Sequence, residues 1–181
     1  MLMAAIGLKR SRIVVASITA GLKQGTQSLT QLVFRRASAA DLTTIVTLLA
    51  DDVLGAAREA VRPEDAAQYR EAFSEIEADP NQFLCVVEDG SEIVGTFQLT
   101  IIPGLSRRGA KRAQIESVRV SHSRRNEQIG EAMFKWAIDY SRSHGCALMQ
   151  LTTDKARPDA HRFYDRMGFE PTHVGYKLQL S

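Results

Sequence analysis

The sequence predicts one mixed α/β domain, on three observations. Short runs of alternating apolar residues interleave with stretches of helical periodicity in the order β-α-α-β-β-β-α-β-α-β, with no internal repeat. Turn residues punctuate the order at Asp89-Gly90, Pro103-Gly104, Gly145 and Gly168. A content of 44% hydrophobic and 24% charged residues over 181 positions suits a single core with little room for a second.

Taken in order, "QLVFRRA" is a short alternating strand. Ser38 and Asp41 then stand at capping-box spacing ahead of "AADLTTIVTLLADDV", a helix with Leu42, Ile45, Val46 and Leu49 in its apolar stripe. Pro63 opens a second helix, "PEDAAQYREAFSEIEAD", with Ala66, Tyr69, Ala72, Phe73 and Ile76 on one side and Pro80 as its stop. The stretch "QFLCVVEDGSEIVGTFQLTII" reads as a hairpin turning at Asp89-Gly90. A basic loop, "LSRRGAKRA", leads to the strand "AQIESVRV". A helix beginning near Gln128 carries Ile129, Met133, Trp136, Ala137 and Tyr140 on one side and ends at His144-Gly145. The strand "ALMQLTT", the short helix "PDAHRFYDRM" from Pro158 to Gly168, and a final strand "THVGYKLQL" complete the pattern.

Residues 1–30 hold no acid, are rich in Ser and Thr and carry scattered Lys and Arg, in the manner of a transit segment or of upstream sequence from a misplaced start. They are expected to lie outside the domain, which takes residues 31–181. The cytoplasm is the expected compartment, or an organelle matrix if the segment is a transit peptide. A net charge of +2 suggests neither nucleic acid nor an acidic membrane surface as partner. No run of about 18 apolar residues suggests a membrane span. Cys85 and Cys146 sit in apolar runs without a second Cys or His at metal spacing, so buried reduced thiols are expected and no metal.

The chemistry concentrates in "SRRNEQIGEAM". A strand ending at Val120 that returns as a helix near Gln128 presents free N–H groups at the helix start, which attract phosphate. Arg124 and Arg125 add positive field, and Gly130 allows close approach to the backbone. Glu127 has two readings, as a carboxylate favouring the helix dipole or as a repulsive neighbour of phosphate. By itself the segment reads more readily as a capped surface helix, because single-glycine turns are common.

Together with the order of elements, two separated motifs resemble the GNAT superfamily of acyl-CoA-dependent N-acyltransferases over residues 31–181. One is the strand "IESVRV" followed by Arg125-Asn126-Glu127-Gln128-Ile129-Gly130; the other is Ala160, Phe163, Tyr164, Gly168 and Phe169 in "AHRFYDRMGF". The segment "LTTDKARPDAHRFYDRMGF" is similar to bacterial small-amine members, aminoalkylphosphonate N-acetyltransferases among them. The resemblance implies a mixed, mostly antiparallel sheet of six to seven strands flanked by about four helices. It implies acetyl-CoA as co-substrate, a primary amine of a small molecule as acceptor, direct attack, and no metal. An exposed edge strand in such a fold often pairs between subunits, so a homodimer is an expectation. A regulatory module that binds acyl-CoA with little turnover is the alternative.

Contacts to the CoA moiety are implied at Val118, Arg119, Val120, Arg125, Asn126, Glu127, Gln128, Ile129, Gly130, Glu131, Asp154, Ala160 and Phe163. The family's first motif glycine is Gln128 here, which costs about 1–2 kcal/mol if that backbone is left-handed and almost nothing if it is ordinary helix. Asn126 is another residue able to take that conformation. An amine with a pKa of about 10.4 is almost fully protonated at neutral pH, so a base is needed. The resemblance places one at Glu116, which otherwise reads as a solvent-facing strand carboxylate. Tyr164 falls where a proton donor to the leaving thiolate is expected, or is a core aromatic in helical register with Ala160 and Met167. The N–H of Val118 or Val120 is placed to polarise the thioester carbonyl.

Asp154 reads as a pantetheine contact, as a group ordering the last helix, or as a plain loop acid. His161 receives no role, and His122 in the turn reads as a solvated loop residue or, less readily, as a phosphate contact. Asp51, Asp52 and Glu59 on one side and Arg107, Arg108, Lys111 and Arg112 on the other suit a zwitterionic amine, or are solvated surface charge.

Overall fold

The computed structural model describes residues 32–51 and 65–180. The N-terminal expectations, Asp52, Glu59 and the Pro63 helix start lie outside them. Five strands form one sheet in the order β1-β2-β3-β4-β5: Leu32–Arg36, Gln82–Asp89, Glu92–Ile102, Lys111–Val120 and Cys146–Gln150. The first three pairings are antiparallel and β4–β5 is parallel. Among the described residues five helices accompany them: α1 Leu42–Ala50, α2 Ala66–Ala78, the single turn α3 Ser106–Gly109, α4 Ile129–Ser143 and α5 Pro158–Arg166.

Alternation along β2 divides the core between the two sides of the sheet. Phe83, Cys85 and Val87 pack with Phe34, Phe97 and the α4 residues Met133, Phe134 and Trp136. Leu84 and Val86 turn the other way, to Ile45 of α1 and Phe73 of α2. The ring of Trp136 stacks on Phe34 at 5.4 Å and on Tyr140 at 5.0 Å, filling the larger core with aromatic area. At Gly95 a Cβ would stand 2.9 Å from the Arg119 carbonyl and 3.1 Å from the Met133 sulfur, so the missing side chain is what lets β4 and α4 approach β3 there.

The capping box before α1 is present, with Asp41 Oδ2 accepting from the Ser38 N–H at 2.7 Å and its hydroxyl at 2.9 Å. A 3-10 turn, Ala39–Asp41, precedes the helix proper. Asp41 also takes two hydrogen bonds from Arg35, at 2.7 and 2.9 Å, and its carboxyl is pushed down to about 2 by that guanidinium despite burial.

Two expectations fail. The basic loop contains a short helical turn, with Arg107, Arg108 and Gly109 all at positive φ. The segment "THVGYKLQL" is not a strand, so the sheet has five strands instead of six to seven. Pro171 has no N–H to give, and the Thr172 N–H is spent on the Glu170 carbonyl at 2.9 Å, so neither is available to a ladder. Alternation shows which faces a strand would present but supplies no partner. Cys85 is fully buried, its thiol pushed up by desolvation, whereas Cys146 is only half-buried.

Candidate active site

The site begins where two parallel strands part. β4 and β5 pair only from Lys111 opposite Cys146 to Gln114 opposite Gln150, while β4 continues from Ile115 to Val120. On its other edge β4 is bulged: Gln98 faces Glu116 and Thr96 faces Arg119, so Ser117 and Val118 together oppose Phe97. Ser117 sits at φ +54, a left-handed conformation uncommon for a residue with a side chain. The result is a wedge whose wall is the edge of β4 beyond its pairing with β5.

The turn from β4 into α4 closes one end of this wedge. Gln128, the residue before the helix, has φ 62 and ψ 9, and Asn126 has φ 71. The left-handed position therefore has not moved from Gln128 to Asn126; both residues adopt it. Internal contacts hold the turn. Arg124 binds Asp89 at 2.6 Å, Glu127 at 2.8 Å and Glu92 at 3.2 Å, fastening it to the β2–β3 hairpin. Asp89, and after it Glu127, raise the Arg124 pKa further. Arg124 is thus committed to the scaffold and does not add to a phosphate field as the sequence suggested, and Glu127 is its partner.

Arg125 is nearly half exposed and gives an Nη2 hydrogen bond of 2.7 Å to the Asp51 carbonyl. The Asp51 carboxylate accepts from the His122 N–H at 2.9 Å, so the end of α1 is tied to the turn. Nothing in the sequence pointed to this tie across more than 70 positions. Asp51 is therefore occupied at the turn, whereas Arg107 and Arg108 are exposed on their own loop. The first-turn N–H groups of Ile129, Gly130 and Glu131 precede the first helical bond, made by Ala132 to the Gln128 carbonyl at 3.1 Å. Ile129 is buried and Glu131 is paired with Lys135 at 2.6 Å, so these two offer backbone to a ligand.

The far motif meets this turn. A Cβ on Gly130 would lie 3.8 Å from the Phe163 ring, and Phe163 packs edge-on to Phe134 of α4 at 5.3 Å. Tyr164 lies 5.6 Å from Phe134, ring to ring. Burial raises its pKa above the ordinary value, against the opposing influence of Arg157, the Thr153 hydroxyl and Arg119. Tyr164 therefore keeps its proton at neutral pH. Ala160 is half-buried one turn before it.

Asp154 orders the entry to α5. Its carboxylate accepts from the Ala156 N–H at 2.9 Å, and its carbonyl receives the Arg157 N–H at 3.2 Å and faces His161 Nε2 at 2.9 Å. His161, given no role from sequence, belongs to this local frame.

Glu116 occupies the opposite side. Ile115 belongs to the α4-side core, so Glu116 projects toward the α1–α2 face, where it is exposed beside its cross-strand partner Gln98. Val118 and Val120 pack against the α4-side core, and Arg119 gives a hydrogen bond of 2.9 Å to the Val118 carbonyl. Carboxylate and phenol thus flank the wedge from different faces. Among the described residues there is no cluster of His, Cys, Asp and Glu able to hold a metal, and no helix is long and apolar enough to cross a membrane.

Known proteins match this arrangement. The family model described as Acetyltransferase (GNAT) family matches residues 28–169. The aminoalkylphosphonate N-acetyltransferase of Salmonella typhimurium is 30% identical over 116 residues, 64% of this chain and 75% of that one. The glucosamine 6-phosphate N-acetyltransferase of Trypanosoma brucei brucei is 34% identical over 89 residues, 49% of this chain and 58% of that one. A crystal structure of a transcriptional regulator from Bacillus halodurans C-125 superposes with a TM-score of 0.80 at 44% identity, covering 83% of this chain and all of that one. The strand wedge, the left-handed turn and the meeting of Gly130 with Phe163 accordingly belong to an N-acetyltransferase: the chain is a member of the GNAT family of acetyltransferases.

Proposed function

We propose that the chain transfers an acetyl group from acetyl-CoA to the primary amine of a small molecule by direct attack at the β4–β5 wedge. One observation carries this reading: Gly130 and Phe163, from motifs more than 30 positions apart, meet so closely that a Cβ on Gly130 would lie 3.8 Å from the Phe163 ring. The residues present fit acetyl-CoA. Backbone N–H groups of Ile129, Gly130 and Glu131 with the half-exposed Arg125 suit its pyrophosphate, and the stretch of β4 from Val118 to Val120, beyond its pairing with β5, suits its amide-bearing arm. Asn126, Glu127 and Gln128 shape the turn, while Asp154, Ala160 and Phe163 hold α5 against it.

Acetyl-CoA supplies an activated thioester; the protein supplies the proton transfers and the orientation. Glu116 takes a proton from the substrate ammonium, directly or through water, which frees the lone pair for attack. The Val118 N–H, set apart by the bulge, donates to the carbonyl oxygen as negative charge grows there. As the carbon–sulfur bond breaks, Tyr164 O–H gives its proton to the departing sulfur, the nitrogen releases its second proton to water, and Tyr164 is reprotonated from water.

The test is CoA thiol release with a panel of primary amines, at varied concentrations of both substrates. Direct attack gives amine-dependent release and intersecting initial-velocity lines; parallel lines would instead indicate an acetylated enzyme. The name of the Bacillus halodurans protein favours a second reading, a regulatory module that binds acetyl-CoA. CoA binding without turnover on any amine would select it.

A further inference from the structure

A cavity of about 90 Å³ lies between α1, α2 and the sheet, on the side of the wedge that Glu116 faces. Its walls are Leu42, Ile45 and Leu49 of α1 and Ala72, Phe73 and Ile76 of α2. Its floor is Thr96, Gln98 and Ser117, so it reaches the β4 bulge itself. Two of the three floor side chains are already engaged: Thr96 Oγ1 donates to the Cys85 carbonyl at 2.8 Å, and Gln98 Nε2 to Gln82 Oε1 at 2.9 Å. No charged side chain lines it among the described residues.

Resting on the acetyltransferase reading, we infer that this cavity is the acceptor-side pocket and that it takes the hydrocarbon part of an amine with a short aliphatic chain. A phosphonate or phosphate placed there would meet no counter-charge among the described lining residues, which an anion leaving water needs. An apolar group meets no such penalty and covers side chains that α1 and α2 leave half-buried. Size sets the length. A dry cavity of about 150 Å³ holds benzene, so 90 Å³ holds about three or four heavy atoms. The amine nitrogen of such a chain is directed from the Ser117 floor toward the bulge, with Glu116 beside it. Removing a methylene from water is worth about fourfold in specificity.

Steady-state kinetics at saturating acetyl-CoA tests this with straight-chain amines from methylamine to hexylamine, alongside 2-aminoethylphosphonate. The expected result is a rise in kcat/KM of about fourfold per methylene as far as propylamine or butylamine, then a plateau or decline. Ala72→Leu, which adds bulk to the wall from a helix position that accepts Leu, should lower kcat/KM for butylamine about tenfold or more. It should leave methylamine and the acetyl-CoA KM within about twofold, which also reports that the variant is folded. Ile76→Phe should repeat the effect. Rates independent of chain length, faster turnover of 2-aminoethylphosphonate than of butylamine, or an unchanged butylamine rate in both variants would overturn the pocket assignment while leaving acetyl transfer intact. No thiol release with any amine would overturn the pocket and the transferase reading together.

Discussion

Gln128 stands at φ 62, where its Cβ crowds the following carbonyl at a cost of about 1–2 kcal/mol. Because Arg124, Glu127 and Asp51 hold the turn from within the chain, that cost belongs to folding stability more than to ligand affinity. Gln128→Gly removes the clash but loosens the unfolded chain by about 0.5–1 kcal/mol. Denaturant unfolding should therefore show a net gain of up to about 1 kcal/mol, and calorimetry a CoA affinity within about twofold. A tenfold tighter complex would mean that the strain is felt on binding. The motif substitution was legible in the sequence, but its backbone conformation was not, since Gln is compatible with an ordinary helix start. Arg124 was misread for a similar reason: its partners Asp89 and Glu92 are brought near only by the hairpin.

At the level of elements, two charge clusters fasten pieces that packing alone leaves loose. The Arg35–Asp41 pair joins β1 to the cap of α1, and Arg35 also binds Glu88 on β2 at 2.6 Å. The Asp41 carboxyl is lowered from 3.8 to about 2, so its stabilising effect is complete above pH 5 and is lost as pH falls from about 4 through 2. The stability gap between the protein and Asp41→Asn should shrink by roughly 2 kcal/mol between pH 5 and pH 2, read from denaturant midpoints. Arg124→Ala, which frees three carboxylates at the turn, should cost about 1–3 kcal/mol in the same measurement at neutral pH. The capping box was visible as Ser38 and Asp41; the guanidinium that lowers Asp41 follows from the fold of β1 against the cap.

Over the whole molecule, periodicity sufficed wherever an element's partner is local or its apolar stripe is long. The hairpin turn at Gly90, the α4 face carrying Met133 and Trp136, and the stop at Gly168 all stand where the pattern put them. It failed at "THVGYKLQL", whose Tyr176 and Leu178 are 92% and 84% exposed, because a strand needs a neighbour as well as an alternation. The wedge itself was invisible, since its cause is the register at which β5 stops following β4. Yet that wedge has Tyr164 on one side and Glu116 on the other, and this is the arrangement on which the proposed mechanism of acetyl transfer rests. Its most direct test pairs CoA calorimetry with thiol release for Tyr164→Phe. Loss of the proton donor should lower kcat by about a hundredfold, with the Kd for CoA within about threefold of the original. Unchanged turnover, or a loss of turnover matched by an equal loss of CoA affinity, would contradict it.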